Sequence, residues 1–206
     1  MKVAILGGTR GIGRELLRQL IEAGEQVTVL ARDPTRLDLT SEHLHVQKGD
    51  ARDRDAVRAL VASHDAVCSC LGIRTRARVT LFSDSTSYIL EQESDGPRIL
   101  AVTGVGAGDS RGHGGFLYDK IFFPLLLREV YEDKNRQEEL LRSSTASWTI
   151  IRPGALTNGP RTGKYRVFQD LTGVTVGRIS RADVADFMVS ELRQPTYERR
   201  TVNLSY

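Results

Sequence analysis

The chain alternates short apolar runs with longer segments in which apolar residues recur every three or four positions. Short β-branched runs are typical of buried parallel strands, and three-to-four spacing is typical of amphipathic helices. The runs predict strands over 3–6, 26–31, 43–47, 65–71, 98–103, 147–152 and 201–204. The helical spacing predicts helices over 12–21, 53–62, 79–92, 136–142 and 181–192.

Strands and helices that alternate in this way predict an α/β fold with a doubly wound parallel sheet and right-handed crossovers. We expect three layers, α/β/α, and a single domain over residues 1–206. Two segments, 104–128 and 154–177, stand outside the alternation and follow strands. They are therefore expected over the carboxyl edge of the sheet, on the substrate side, because doubly wound folds bind ligands there.

A glycine-rich stretch, GGTRGIG over residues 7–13, lies between the first strand and the first helix. In this context Gly7 can make the tight turn, Gly11 can let the backbone approach a pyrophosphate, and Gly13 can let helix and strand pack closely. The free amides of the helix N-terminus would then face the phosphates. The alternative is a glycine turn that binds no ligand.

The end of the second strand indicates which nucleotide is bound. Sites for NAD usually place an acid there to hold the ribose 2′-hydroxyl, whereas this chain has Ala31 and then Arg32. Arg32 can pair with a 2′-phosphate, and Arg36 and Arg10 are close enough in sequence to join it. Asp33 can instead reach a ribose. The charges favour NADP(H) as cofactor.

The spacing of Gly7, Gly11 and Gly13, the pair Gly49-Asp50 and the ending WTIIRPG over 148–154 resemble the short-chain dehydrogenase/reductase superfamily. Together with Gly159-Pro160 and ISRADVA over 179–185, they resemble its atypical branch of NmrA-like proteins and biliverdin-IXβ/flavin reductases. The resemblance covers essentially the whole chain and implies a Rossmann-type fold. It implies NADP(H) contacts at Gly7, Thr9, Arg10, Gly11, Ile12, Gly13, Arg32, Arg36, Asp50, Ala51, Leu71, Gly72, Arg74, Thr103, Gly104, Lys134, Pro153, Gly154, Ala155 and Leu156.

The Tyr-x-x-x-Lys pair of the superfamily's main branch is absent, and Tyr131 and Lys134 are one residue closer together. Residues three apart share a helix face, so both remain catalytic candidates. By resemblance, Lys134 faces the nicotinamide, and Tyr131 would donate a proton. Gly104 stands near where many relatives carry a serine. This departure argues against ordinary alcohol or ketone chemistry, which needs a placed proton donor.

A hydride acceptor that delocalises charge, such as a flavin, quinone or tetrapyrrole, places less demand on a proton donor. We therefore expect an NADPH-dependent reductase of a flat, conjugated small molecule. A redox sensor of the NmrA type, without turnover, and an isomerase or epimerase are the alternatives. The apolar run 122–127 is read either as a wall for the acceptor or as a packed helix face, and His113 either as a substrate contact or as a loop residue.

Composition limits the other partners. A net charge of +3 made of 29 basic and 26 acidic residues does not indicate nucleic acid. No apolar run is long enough for a signal peptide or a membrane span, so a cytoplasmic protein is expected. No residues have metal-ligand spacing, so no metal is expected. We expect a monomer or a homodimer.

Overall fold

The computed structural model describes residues 1–73, 75–92, 96–115 and 127–206. The strands in these ranges are β1 (Lys2–Leu6), β2 (Gln26–Ala31), β3 (Leu44–Lys48), β4 (Ala66–Ser69), β5 (Arg98–Val102), β6 (Trp148–Pro153), β7 (Ala155–Thr157), β8 (Arg166–Phe168), β9 (Arg178–Ser180) and β10 (Arg200–Ser205). The α-helices are α1 (Gly11–Glu22), α2 (Arg54–Val61), α3 (Leu81–Leu90), α4 (Arg128–Ser143) and α5 (Arg181–Arg193).

Eight strands form one sheet in the order β3-β2-β1-β4-β5-β6-β10-β8, and β7 pairs with β9 in a separate two-stranded sheet. Every pairing in the large sheet is parallel except β10 with β8. The strand order reverses beside β1, which pairs with β2 on one side and β4 on the other. Ligands of doubly wound sheets bind at this reversal, outside the carboxyl ends of the strands.

Helices cover both faces of the sheet. The core on one face contains residues of α1 and α5, such as Leu16, Leu20 and Val184. The core on the other face contains residues of α2, α3 and α4, such as Leu60 and Phe82. Because both faces are buried, the central strands are apolar throughout rather than alternating. The predicted three-layer α/β/α fold is confirmed.

The seven predicted strands and five predicted helices are all present; β2 has the predicted bounds, and the other elements have shifted boundaries. The largest shift is at α4, which begins at Arg128, eight residues before the predicted start, because charged residues in its first half obscure the apolar spacing. Strands β7, β8 and β9, each only three residues long, are not predicted from the sequence. Runs of that length are too short to show a period of two. No helix in the four described ranges is long and apolar enough to cross a membrane.

Candidate functional site

The glycine loop between β1 and α1 has no room for side chains at two positions. A Cβ on Gly7 would lie 2.6 Å from the carbonyl oxygen of Cys70, and Gly7 has a φ of +87°. A Cβ on Gly13 would overlap the carbonyl oxygen of Gly7. The start of α1 is therefore held directly against the end of β1. Thr9 and Arg10 lie in the turn between them, and Ile12 is buried in the first turn of α1.

The N-terminus of α1 carries no compensating negative charge. Arg10 occupies the N-cap position without a side-chain cap hydrogen bond, and the first turn has no acidic residue. The first amides of a helix have no partner within the helix, and the helix dipole favours an anion beside them. These features of the loop and of α1 fit the pyrophosphate of a dinucleotide.

Arg32 and Arg36 are exposed residues just beyond β2. Arg32 has no ion-pair partner among the described residues. The Asp33 carboxylate accepts hydrogen bonds from the Thr35 amide (3.2 Å) and hydroxyl (2.6 Å), which lower the pKa of Asp33. Since Asp33 is engaged in its own turn, the two guanidiniums are the groups of this segment open to a 2′-phosphate.

Arg10 lies apart from these two arginines. Its guanidinium donates to the carbonyl oxygen of Gly72 (3.3 Å), which together with Leu71 follows β4. Because β2 and β4 flank β1 on opposite sides, the structure does not group Arg10 with Arg32. Arg74, a further predicted cofactor contact, lies outside the described residues.

Asp50 and Ala51 follow β3, beyond the end of the strand at Lys48. The Asp50 carboxylate is partly exposed and accepts a hydrogen bond from the Arg52 amide (3.0 Å), while Ala51 is buried. Asp50 lies at the carboxyl edge of the sheet near the end of β2, as the NADP(H) contact implied by the resemblance requires. That role stays a prediction.

Gly104 and Tyr131 meet at the carboxyl end of β5. Gly104 has a φ of +144°, and a Cβ there would lie 2.6 Å from the Tyr131 hydroxyl oxygen. Tyr131 is 9% exposed and is contributed by α4. A serine at position 104 would therefore collide with the phenol. The Tyr131 hydroxyl of α4 occupies the space that a side chain at position 104, just after β5, would need.

Lys134 is buried beside the carboxyl end of β5. Its ammonium donates to the carbonyl oxygens of Val102 (3.3 Å) and Thr103, and lies 5.9 Å from the Tyr131 ring centroid. Burial lowers the pKa of Lys134 to about 8, although the charge of Glu138 acts in the opposite direction. With 8% exposure, Lys134 is not a solvated surface lysine, and it converges with Tyr131 as their spacing predicts.

A buried ion pair between Glu138 and Arg152, which the sequence does not predict, packs against the carboxyl end of β5. Glu138 and Arg152 are each 1% exposed, and the guanidinium donates from Nε (2.9 Å) and Nη2 (2.6 Å) to the two carboxylate oxygens. The Thr103 hydroxyl donates to the same carboxylate (2.8 Å), and Arg152 also pairs with Asp109 (2.5 Å). Thr103 is thus fixed from one side by Glu138 and from the other by Lys134.

A cavity of about 310 Å³ opens above these residues. It brings together seven of the predicted site residues, namely Thr103, Gly104, Tyr131, Pro153, Gly154, Ala155 and Leu156. The rest of the lining is Val105, Gly114, Val176, Gly177 and Arg181. The cavity is thus formed by the ends of β5 and β6, by α4 and by parts of the two segments expected on the substrate side.

A second cavity, of about 300 Å³, lies beside the N-terminus of α1. Its lining comprises Gly11, Arg14, Glu15, Arg18, Leu39, Asn158, Gly159, Arg181 and Ala182. Arg181 is common to both cavities. Arg181 belongs to the ISRADVA motif of the sequence, and no contact is predicted for it there. The sequence feature that marks Arg181 is a cation in the first turn of a helix, and that feature alone predicts no ligand contact.

His113 links the two segments. Its Nδ1 lies 2.8 Å from the Val174 carbonyl oxygen, and its own carbonyl accepts from the Val176 amide (2.8 Å). Of the apolar run 122–127, only Leu127 lies within the described residues. Within those residues, no group of three or more His, Cys, Asp or Glu side chains could hold a metal ion.

The family model described as NAD(P)H-binding matches residues 7–195 of this chain. A 79-residue segment is 37% identical to the uncharacterized sugar epimerase YhfK of Bacillus subtilis and covers 38% of this chain and 36% of that protein. Among solved structures, the anaerobilin reductase ChuY of Escherichia coli O157:H7 superposes with a TM-score of 0.83, 23% identity and coverage of 100% and 97% of the two chains. A short-chain dehydrogenase/reductase of Veillonella parvula in complex with NADP superposes with a TM-score of 0.78, 17% identity and coverage of 100% and 94%. The chain therefore belongs to the NAD(P)H-binding family and has a Rossmann-type fold.

Proposed function

We propose that this protein is an NADPH-dependent oxidoreductase that reduces a flat, conjugated small molecule of the flavin, quinone or tetrapyrrole type. The observation that carries the proposal is the cavity at the ends of β5 and β6. Its described lining is glycine and apolar side chains, apart from the hydroxyls of Thr103 and Tyr131 and the guanidinium of Arg181 at its boundary, and it contains no carboxylate or imidazole. Such a site suits an acceptor that must be aligned by a flat apolar surface.

NADPH supplies the hydride when it is bound. The glycine loop and the N-terminus of α1 hold its pyrophosphate in this proposal, and Arg32 and Arg36 hold the 2′-phosphate. Thr103, Gly104 and the stretch 153–156 line the nicotinamide end. The fold resemblance to ChuY, which is described as an anaerobilin reductase, supports a conjugated acceptor.

Tyr131 is the proton donor in this proposal. Its hydroxyl borders the cavity at Gly104, and the buried ammonium of Lys134 lies 5.9 Å from its ring centroid. A nearby cation stabilises the negative charge that develops on the phenol as its proton leaves. Lys134 thus assists Tyr131 and, through the Thr103 carbonyl, fixes the end of β5.

Oxidation of NADPH, followed by loss of its absorbance band with FMN, a quinone and biliverdin offered in turn, tests this proposal. We expect acceptor-dependent oxidation in the wild type, no oxidation in Gly13→Asp, and a reduced rate in Tyr131→Phe. A reductase that takes its proton from solvent would retain its full rate in Tyr131→Phe. NADPH that binds but is not oxidised by any acceptor would contradict the proposal.

That last outcome would favour a second function, an NADP(H)-binding redox sensor without turnover. The observation in its favour is the engagement of the Lys134 ammonium by the carbonyls of Val102 and Thr103, which leaves at most one ammonium proton for a ligand. A sensor would bind NADPH and NADP⁺ with different effects on a partner protein. Calorimetric titration with both forms of the cofactor, beside the oxidation assay, separates the two functions.

A further inference from the structure

Arg181 occupies the boundary between the two cavities. It is the first residue of α5, and its side chain lines both the cavity at the end of β6 and the one beside α1. Its Nε is the closest atom to the point where a Cβ on Gly11 would stand, at 3.9 Å. A residue far along the chain thus places a guanidinium directly opposite the glycine loop.

This guanidinium has no carboxylate partner among the described residues. Its hydrogen-bond acceptor is the side-chain oxygen of Asn158, at 2.7 Å. The acids nearby have other partners. Asp183 accepts from the amides of Thr162 and Gly163 and from the Tyr206 hydroxyl, and Glu15 pairs with Arg18.

The position of Arg181 is unfavourable in the absence of a ligand. A cation in the first turn of α5 lies at the positive end of the helix dipole. At the N-terminus of α5, Ser180 caps the Asp183 amide and Asp183 lies in the first turn, whereas the N-terminus of α1, which is adjacent through Gly11, has no side-chain cap and no acid in its first turn. The uncapped N-terminus of α1 and the Arg181 guanidinium therefore place positive charge side by side, and an anion bound there would relieve it.

We propose that Arg181 binds the pyrophosphate of NADP(H), as a clamp from the α5 side that faces the glycine loop. The inference rests on cofactor binding by this family and not on turnover. It therefore holds for a reductase and for a sensor alike. It is consistent with the position of Arg181 between Gly11 of the glycine loop and the cavity at the end of β6, where the nicotinamide end is proposed to lie.

The test is calorimetric titration of Arg181→Gln with NADP⁺, ADP-ribose and 2′-AMP. ADP-ribose contains the pyrophosphate without the 2′-phosphate, and 2′-AMP contains the 2′-phosphate without the pyrophosphate. We expect about tenfold weaker binding of NADP⁺ and ADP-ribose, because a charge-assisted hydrogen bond is lost, and unchanged binding of 2′-AMP. Arg178→Gln is the matched control, since Arg178 is exposed, lines neither cavity and carries the same charge.

Two results would overturn the inference. Unchanged binding of ADP-ribose would show that Arg181 does not touch the pyrophosphate. Weaker binding of FMN in the same titration, with unchanged NADP⁺ binding, would assign Arg181 to an anionic acceptor instead. Loss of the fold is checked by thermal unfolding of the ligand-free variant, whose melting temperature should not fall below that of the wild type. Arg181→Lys, which keeps the charge, should recover part of the affinity. None of these binding readouts depends on catalytic turnover.

Discussion

The Tyr131 hydroxyl occupies the space that a side chain at residue 104 would need. Its oxygen lies 2.6 Å from the point where a Cβ on Gly104 would be. The backbone at Gly104 also has a φ of +144°, a conformation that residues with a side chain rarely adopt. The hydroxyl at this edge of the cavity therefore comes from α4 and depends on a glycine at the end of β5.

This relationship predicts a coupling between the two positions. Gly104→Ala should lower the free energy of unfolding by about 2–3 kcal/mol, through backbone strain and through collision with the phenol. In a Tyr131→Phe background the collision is relieved, and the same substitution should cost ~1 kcal/mol less. Urea unfolding of the wild type, both single variants and the double variant measures the difference. An equal cost in both backgrounds would show that the hydroxyl does not restrict position 104.

Arg32 should determine the preference for the 2′-phosphate. It is exposed beyond β2 and has no ion pair within the described ranges, so Arg32→Ala removes a charge without breaking a structural contact. We expect about 10- to 100-fold weaker NADPH binding and nearly unchanged NADH binding, because only NADPH carries the 2′-phosphate. Arg58→Ala, an exposed arginine near Glu91, is the control. Equal weakening of both cofactors would assign Arg32 to another part of the nucleotide.

Much of this architecture follows from local sequence. The strands around β1 are apolar on both faces because helices cover both, and their runs locate them correctly. The glycine loop is likewise identifiable, since Gly7 and Gly13 each meet the backbone of a neighbouring segment. The order of strand, glycine turn and helix is local in sequence, and sequence reasoning handles such units well, although the backbone that Gly7 meets is that of Cys70, after β4.

What the sequence does not reveal depends on contacts between distant segments. Glu138 and Arg152 appear as an ordinary helix acid and a strand-end base until the fold buries them together. Arg181 comes beside Gly11 only because α5 packs on α1. Neither pairing leaves a periodic or compositional signal, so neither can be found without the tertiary structure.

The ion pair of Glu138 and Arg152 should be costly to break. Glu138→Gln leaves a guanidinium buried without its full counter-charge, and we expect the free energy of unfolding to fall by about 3–5 kcal/mol. The double variant Glu138→Leu, Arg152→Met removes both charges and should recover part of that loss. Glu132→Gln, which breaks an exposed pair with Arg128, should change stability by less than ~1 kcal/mol. A similar small effect for Glu138→Gln in urea unfolding would contradict the role assigned to the pair.

Lys134 should make stability depend on pH in a specific window. Its pKa is lowered to about 8 in the folded protein from a usual value of 10.5, so the unfolded chain binds more protons between these values. Stability contributed by this site therefore rises as pH increases from 8 to 10.5, by up to ~3 kcal/mol, and is lost again as pH falls towards 8. Lys134→Met removes the titrating group. The difference in unfolding free energy between wild type and variant, measured in urea at several pH values, should move in favour of the wild type across this window. A difference that stays constant would mean that Lys134 titrates normally and is hydrated in solution.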